Sequence, residues 1–279
     1  MVDKIIEISS RSIIALNGPN SCEFLQGLIT NDINKIKNDN LIYTFMLTPQ
    51  GRYMYDFFIF RIDENIYIDC LKSKRDEIIK KLNFFKLRSK FSIEANNNIV
   101  ILSSFSKIDK IDSVIFSKED PRSSLMGHRI YSSKKIEQEL TSESYYHFNR
   151  IVNKIPESDF DLTFDKSLIN EFGFDELGAI DYKKGCYIGQ EVVARTHYNS
   201  VIRKTLYYAT IEENAAISKN QELFYCGKKI GIILSSILFS QKIHCLILIR
   251  NDLFQDNLEN YKNKITLDLE GKKNLIIIK

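Results

Sequence analysis

An α+β fold is predicted, with antiparallel sheets and helices over most of the chain and a small β-barrel at its C-terminal end. Three observations predict it. Two long apolar runs, residues 41–48 and 53–62, flank the turn Pro49-Gln50-Gly51-Arg52 and read as paired antiparallel strands. Ile78, Ile79, Leu82 and Phe85 recur at helical spacing. Beyond Ser200 the chain changes to short β-type runs separated by turns, the texture of a small barrel.

In chain order, residues 11–16 read as a strand. Gly18-Pro19-Asn20-Ser21 then opens an amphipathic helix near 21–29 that buries Cys22, Leu25 and Leu28. A third strand of the meander, 66–71, follows the turn Asp63-Glu64-Asn65, and Ser73 caps a helix through about Phe85. Residues 91–95, 99–103 and 113–116 are further strands. The polar stretch 104–145 carries little pattern. A helical segment after Tyr145 leads to Ile155-Pro156-Glu157 and a loop with Phe160, Leu162 and Phe164. Barrel strands are expected at 204–211, 222–226, 229–235 and 242–249. The division falls near 199–202, giving a region 1–200 of two subdomains and a barrel domain 201–279.

The chain has 279 residues, 44% hydrophobic and 27% charged, with a formal net charge of +3. Such a balance does not describe a polycation built for nucleic acid, so no direct nucleic-acid partner is expected. No apolar run approaches the roughly 18 residues of a membrane span, and the start of the chain lacks the apolar stretch of a signal peptide. The five cysteines are scattered with no C-x-x-C pair, which fits reduced thiols in the cytoplasm. They supply no self-contained zinc or iron–sulfur site. His244-Cys245, in an apolar run, reads as core.

The most informative segment is Lys184-Gly185-Cys186-Tyr187-Ile188-Gly189-Gln190-Glu191. A thiol reacts as thiolate, which nearby cations or a helix N-terminus favour. Lys183 and Lys184 precede Cys186, Arg195 and His197 follow it, and 190–195 reads as a short helix with Glu191 in its first turn. Gly185 and Gly189 leave room for a ligand or another backbone. Taken alone, the segment equally suits a cysteine packed as a small hydrophobe.

This octapeptide resembles the K-G-C-[YF]-x-G-Q-E signature of the YgfZ family of folate-binding proteins. Phe24-Leu25-Gln26-Gly27-Leu28-Ile29-Thr30-Asn31-Asp32 is similar to that family's F-L-Q-G-x-x-T-N-D, and Leu47-Thr48-Pro49-Gln50-Gly51-Arg52 to its L-T-P-Q-G-R turn. Gly227-Lys228-Lys229-Ile230-Gly231 is similar to the G-x-x-[IV]-G of its barrel. The resemblance implies a fold like the T-protein of glycine cleavage, an aminomethyltransferase that uses tetrahydrofolate. It implies tetrahydrofolate or a one-carbon derivative as cofactor, with Glu171 accepting from the pterin edge, although the proline expected just before it is absent. Asp56, the only acid in Tyr53 to Phe60, is placed against the same cavity or bonded at a strand edge. Asn31 and Asp32 close the first loop toward it or form a plain turn, and Arg195 or Arg203 meets the anionic tail.

The function implied is an accessory role in maturation or repair of 4Fe–4S proteins, with indirect support of tRNA modification. Cys186 is then a functional thiol, either a ligand to a transient cluster shared with carrier or client proteins or a group that protects such a cluster by thiol chemistry. A folate-dependent aminomethyltransferase or demethylase is the alternative, in which Asp56 handles protons. Against it, the paired acids and double glycine of T-proteins are missing, so a classical enzyme is not favoured. A scaffold with a vestigial cavity is the third reading.

Overall fold

The computed structural model describes residues 5–87, 89–105, 113–135, 140–199, 203–211, 217–250, 252, 265–269 and 272–278. The first sheet takes the order β3 (Ile42–Leu47), β4 (Tyr53–Ile62), β5 (Asn65–Leu71), β2 (Arg11–Asn17), β6 (Ser92–Asn96). Its first three strands are the expected antiparallel meander. Helices α1 (Ser21–Gln26) and α2 (Arg75–Lys86) cover one face, where Leu25, Ile78 and Leu82 pack on Ile14, Ile42, Phe57 and Ile59. The opposite face presents Tyr43, Phe45, Phe58 and Phe60 to Ile101, Phe116 and Tyr131. Both faces of β4 are therefore buried, which is why Tyr53 to Phe60 is almost continuously apolar.

The second sheet has the order β1 (Ile5–Glu7), β7 (Val100–Ser104), β9 (His128–Ser132), β8 (Val114–Glu119). Strands β8 and β9 both lie in the polar stretch 104–145, where the start of β8 matches the strand expected at 113–116 and β9 was not expected. Helices α3 (Glu143–Val152), α4 (Ser158–Asp161) and α5 (Gln190–Asn199) follow. The third sheet runs β10 (Lys204–Ile211), β13 (Lys242–Arg250), β12 (Lys228–Phe239), β11 (Glu222–Tyr225), β14 (Ile265–Leu269), β15 (Lys272–Ile278). Strand β15 also pairs with β10 at Ala209 and Thr210, so the sheet returns to its first strand. Strands β14 and β15 were not expected from the sequence. The division near 199–202 falls on residues 200–202, which lie outside the described set. Leu234, Leu246 and Leu248 of the third sheet join the core of the preceding region. Cys245 is fully buried, and His244 shares a 2.7 Å hydrogen bond with Tyr208 Oη. Helix α1 stops before the expected end, and α2 begins at Arg75 without a side-chain cap from Ser73.

Between the first two sheets lies a buried ion network. Asp69 Oδ1 accepts from Arg11 Nε at 2.5 Å, and Asp69 Oδ2 accepts from Arg129 Nε at 2.7 Å and Tyr131 Oη at 3.0 Å. Arg129 Nη2 is as close to that oxygen, 2.6 Å, but is misaligned for donation. Arg122 donates to Asp120 and to Glu157 Oε2, and Arg150 to Asp161. Three guanidiniums, from Arg11, Arg122 and Arg129, stand 5.1, 4.8 and 3.8 Å from the centroid of the Phe58 ring. Their charge is met by the ring face as well as by carboxylates.

Burial alone would push the Glu157 carboxyl upward, but Arg122, Arg11, Arg150 and Arg129 hold it far below the usual range. A carboxyl depressed in the folded state contributes stability above its unfolded pKa and loses that contribution as pH falls below it. The acid limb of the stability curve below about pH 4.5 should thus be shallower in Glu157→Gln than in the wild type. The difference is at most about 1.4 kcal/mol per pH unit. Urea midpoints across pH check this; parallel acid limbs would contradict it.

Candidate functional site

The segment around Cys186 is built by convergence of three stretches remote in sequence. Lys184 is buried, and its Nζ donates to the carbonyls of Gln26 at 2.7 Å, Ile29 at 2.6 Å and Asn31 at 3.0 Å. An ammonium has three donors, and all three are used here on carbonyls at the last residue of α1 and just beyond it. Burial lowers its pKa to about 8, against the pull of Asp32 and Asp181. Ile188 N–H donates to Gly27 O, and Asp181 N–H to Thr30 O. The chain stretch Phe24 to Asp32 is thereby clamped to the octapeptide.

The turn Thr48 to Arg52 supplies the other wall. Gly51 and Gly189 both have positive φ, +70° and +86°, which favours glycine. A Cβ on Gly189 would stand 2.6 Å from Thr48 O and 3.1 Å from Leu47 Cβ, and one on Gly51 would stand 2.8 Å from Val192 Cβ. The close approach that glycine permits at 189 is thus to the chain's own turn. A Cβ on Gly185 would meet open space. Gly189 O then accepts from Val193 N–H at 3.4 Å and starts α5, with Glu191 in the first turn, as the sequence indicates.

The product is a ledge of alternating character. Lys184 and Tyr187 point inward while Gly185 and Cys186 are exposed. Two of the basic residues near Cys186 in sequence serve other groups: Lys184 holds carbonyls, and the His197 ring stacks on Tyr182 at 3.9 Å. Cys22 is half-buried, packed at the edge of the core rather than fully within it as expected, and Cys226 is exposed. Beside the ledge, Tyr187, Ile188, Gly189, Gln190 and Glu191 line a cavity of about 500 Å³ with Met46, Pro49, Met54, Lys81 and Phe85. Among the described residues no three His, Cys, Asp or Glu side chains converge as metal ligands.

The structure separates the residues expected against folate. Glu171 lies in a short 3₁₀ turn, Ile169–Phe172, accepts from Lys204 Nζ at 2.8 Å, and lines a cavity of about 250 Å³ with Asn170, Phe172 and Leu206. It is partly exposed and can exchange that ammonium for another donor. Asp56 differs from the expectation of a cavity or strand-edge acid. It is 1% exposed, accepts from Arg11 Nη1 at 2.8 Å, Tyr43 Oη at 3.2 Å and Ser158 Oγ, and belongs to the ion network. Its orientation follows from sharing the strand face of Phe58 and Phe60. Asn31 is likewise committed: Nδ2 donates to Tyr43 O and Gly178 O, while Oδ1 accepts from Asp32 N–H and Lys35 Nζ. A side-chain amide offers two donors and one oxygen, so none is left for a ligand. Asp32 caps the following 3₁₀ helix through Asn34 N–H. Arg195 and Arg203 are exposed.

Of the tetrahydrofolate set, the donor chemistry fits at Glu171 and does not fit at Asp56 or Asn31. Sequence reasoning missed Thr30 and Asp181. Thr30 Oγ1 donates to Ala179 O at 2.7 Å, and Asp181 pairs with Lys35 at 2.8 Å. Thr30 stands within the recognised stretch, but its partner lies 149 residues away.

The fold is like that of the glycine cleavage T-protein. It superposes on glycine cleavage system aminomethyltransferase T from Bartonella henselae with a TM-score of 0.70, covering 99% of this chain and 84% of that one at 13% identity. Residues 4–88 match the GCVT N-terminal domain family. In sequence the chain is similar to the mitochondrial iron–sulfur cluster assembly factor IBA57 homolog of Neurospora crassa, 32% identical over 229 residues. That match takes in 72% of this chain and 52% of the relative. It is also similar to the mouse iron–sulfur cluster assembly factor IBA57, 26% identical over 234 residues, 74% of this chain and 65% of the relative. The chain thus spans less than two thirds of the length of these relatives.

Proposed function

We propose that this chain assists maturation or repair of 4Fe–4S proteins by presenting Cys186 at a site shared with a partner protein. The observation that carries the reading is the ledge, where an exposed thiol is fixed between inward-clamped Lys184 and Tyr187. The similarity to relatives named for iron–sulfur cluster assembly supports it. The cluster is cargo. Cys186 gives up its proton and forms one Fe–S bond as one Fe–S bond to the donor breaks, and the released thiolate takes up a proton. No oxidation or reduction is required. A single thiolate does not hold a cluster by itself, so the remaining ligands come from the partner or a small thiol.

Tetrahydrofolate, in this reading, is held through Glu171 accepting from the amino and amide N–H groups of the pterin edge, with Lys204 released. Bound folate supplies a one-carbon carrier in related folds, but Asp56, the acid expected to move protons for transfer, is already partnered by Arg11 and Ser158. Effects on modified tRNA follow indirectly, through cluster-dependent enzymes.

In cells lacking the protein, Cys186→Ala is expected to leave 4Fe–4S enzyme activity unrestored while the purified variant binds tetrahydrofolate with wild-type affinity in calorimetry. Full restoration would sink the thiol role. Glu171→Gln is expected to weaken folate binding about tenfold or more, the loss of a charge-assisted pair, and an unchanged isotherm would remove Glu171 from the site.

A further inference from the structure

The cavity of about 500 Å³ beside the ledge, walled by Met46, Pro49, Met54, Phe85, Tyr187 and Ile188, has no role in fixing the thiol. One peptide step connects the two, since Cys186 is exposed and Tyr187 is wall. The apolar surface continues out of the cavity along the end of α2. Phe84 is 77% exposed with its ring 5.6 Å from Phe85, and Leu87 is 87% exposed. Leu87 is also held at φ +51°, a region costly for a bulky side chain, so the helix ends by holding an apolar group in water under strain. Apolar surface of this kind beside a polar rim marks an interaction site.

The rim is predominantly cationic, with Glu191 the single acid among the residues that line the cavity. From Ile78 to Phe91 the chain has no acid, while Lys80 and Lys90 are exposed and Lys81 lines the cavity. Exposed Lys183 adds a cation at the start of the ledge. A thiolate-bound iron–sulfur cluster is anionic, and so is a surface suited to this rim. We propose that the cavity and the exposed end of α2 form the docking face for the partner that shares a cluster with Cys186. That partner meets it with an acidic surface bearing one large apolar anchor that fills the cavity. The inference rests on the shared-site reading above and names the partner's chemistry.

The test compares full-length variants, at single-copy expression in cells lacking the protein, by restored 4Fe–4S enzyme activity. Phe84→Ser with Leu87→Ser should lower restoration about tenfold or more, as loss of central anchors does. The reversal Lys80→Glu with Lys90→Glu, at exposed positions that leave the core intact, should do the same. Both variants should keep the wild-type thermal midpoint, and overexpression should recover their activity but not that of Cys186→Ala. Wild-type restoration by both variants, with Cys186→Ala still inactive, overturns the docking face and leaves the thiol reading standing. Full activity of Cys186→Ala overturns the thiol reading itself, and the docking proposal with it. Sedimentation in which Phe84→Ser with Leu87→Ser turns a dimer into a monomer assigns the face to a second copy and likewise overturns the proposal.

Discussion

Asp69→Ala is expected to destabilise the protein by about 3–5 kcal/mol, the range for removing one member of a buried charge pair. Asp69 is fully buried and is the carboxylate that both Arg11 and Arg129 share. Arg11 would retain Asp56 at 2.8 Å. Arg129 would keep the Phe58 ring and Tyr131 Oη, and its Nη1 already lacks a partner. An uncompensated guanidinium in that position cannot reach water without opening the contact between the two sheets. Adding Arg129→Met removes the stranded charge, so the double variant should be more stable than Asp69→Ala alone. Urea unfolding monitored by circular dichroism measures both. A loss under about 1 kcal/mol for Asp69→Ala would show that the network is solvated in practice.

Gly189→Ala is expected to displace the ledge and abolish restoration of 4Fe–4S enzymes, although it leaves the thiol group itself chemically unaltered. The positive φ of this residue costs a non-glycine side chain about 1–3 kcal/mol. The new Cβ also meets the backbone oxygen of Thr48 at 2.6 Å, an atom that cannot rotate away. The turn and the start of α5 must separate, and Cys186 moves with them. Gly185→Ala is the control, because its Cβ enters open space and should leave thermal stability unchanged within about 0.5 kcal/mol. Equal behaviour of the two variants in thermal melts and in restoration would refute the close approach as the reason for glycine at 189.

The elements legible in the sequence are those whose side chains face one kind of surroundings. Strands β3 and β4 announced themselves because both faces meet apolar layers, and α2 because Ile78 and Leu82 return to the same sheet. Strand β9 stayed hidden since one of its inward residues is Arg129, so burial did not look apolar. The buried arginines share this difficulty. Arg11 meets Asp69 across 58 residues and Arg129 meets it across 60, separations that no local pattern reports. For Asp56 the cost of burial was readable from Tyr53 to Phe60, whereas its partners, Arg11 and Ser158, were not. The three motif stretches could be recognised singly. Their meeting at Lys184 depends on carbonyls of Gln26, Ile29 and Asn31, more than 150 residues earlier.

The three carbonyl bonds of Lys184 bear on the thermodynamics of any encounter at Cys186. A thiol on a loose loop would surrender backbone freedom when captured, at roughly 1–2 kcal/mol for each residue ordered. Residues 184–189 have already surrendered it during folding, through Lys184 Nζ, the Ile188 N–H and the Gly189 contact with Thr48. A partner therefore meets a preset atom, and the strength of a transient complex can be set by few contacts without losing aim. Substitutions that loosen the Phe24 to Asp32 stretch should then act as entropic lesions, weakening capture of the thiol while its own chemistry stays intact.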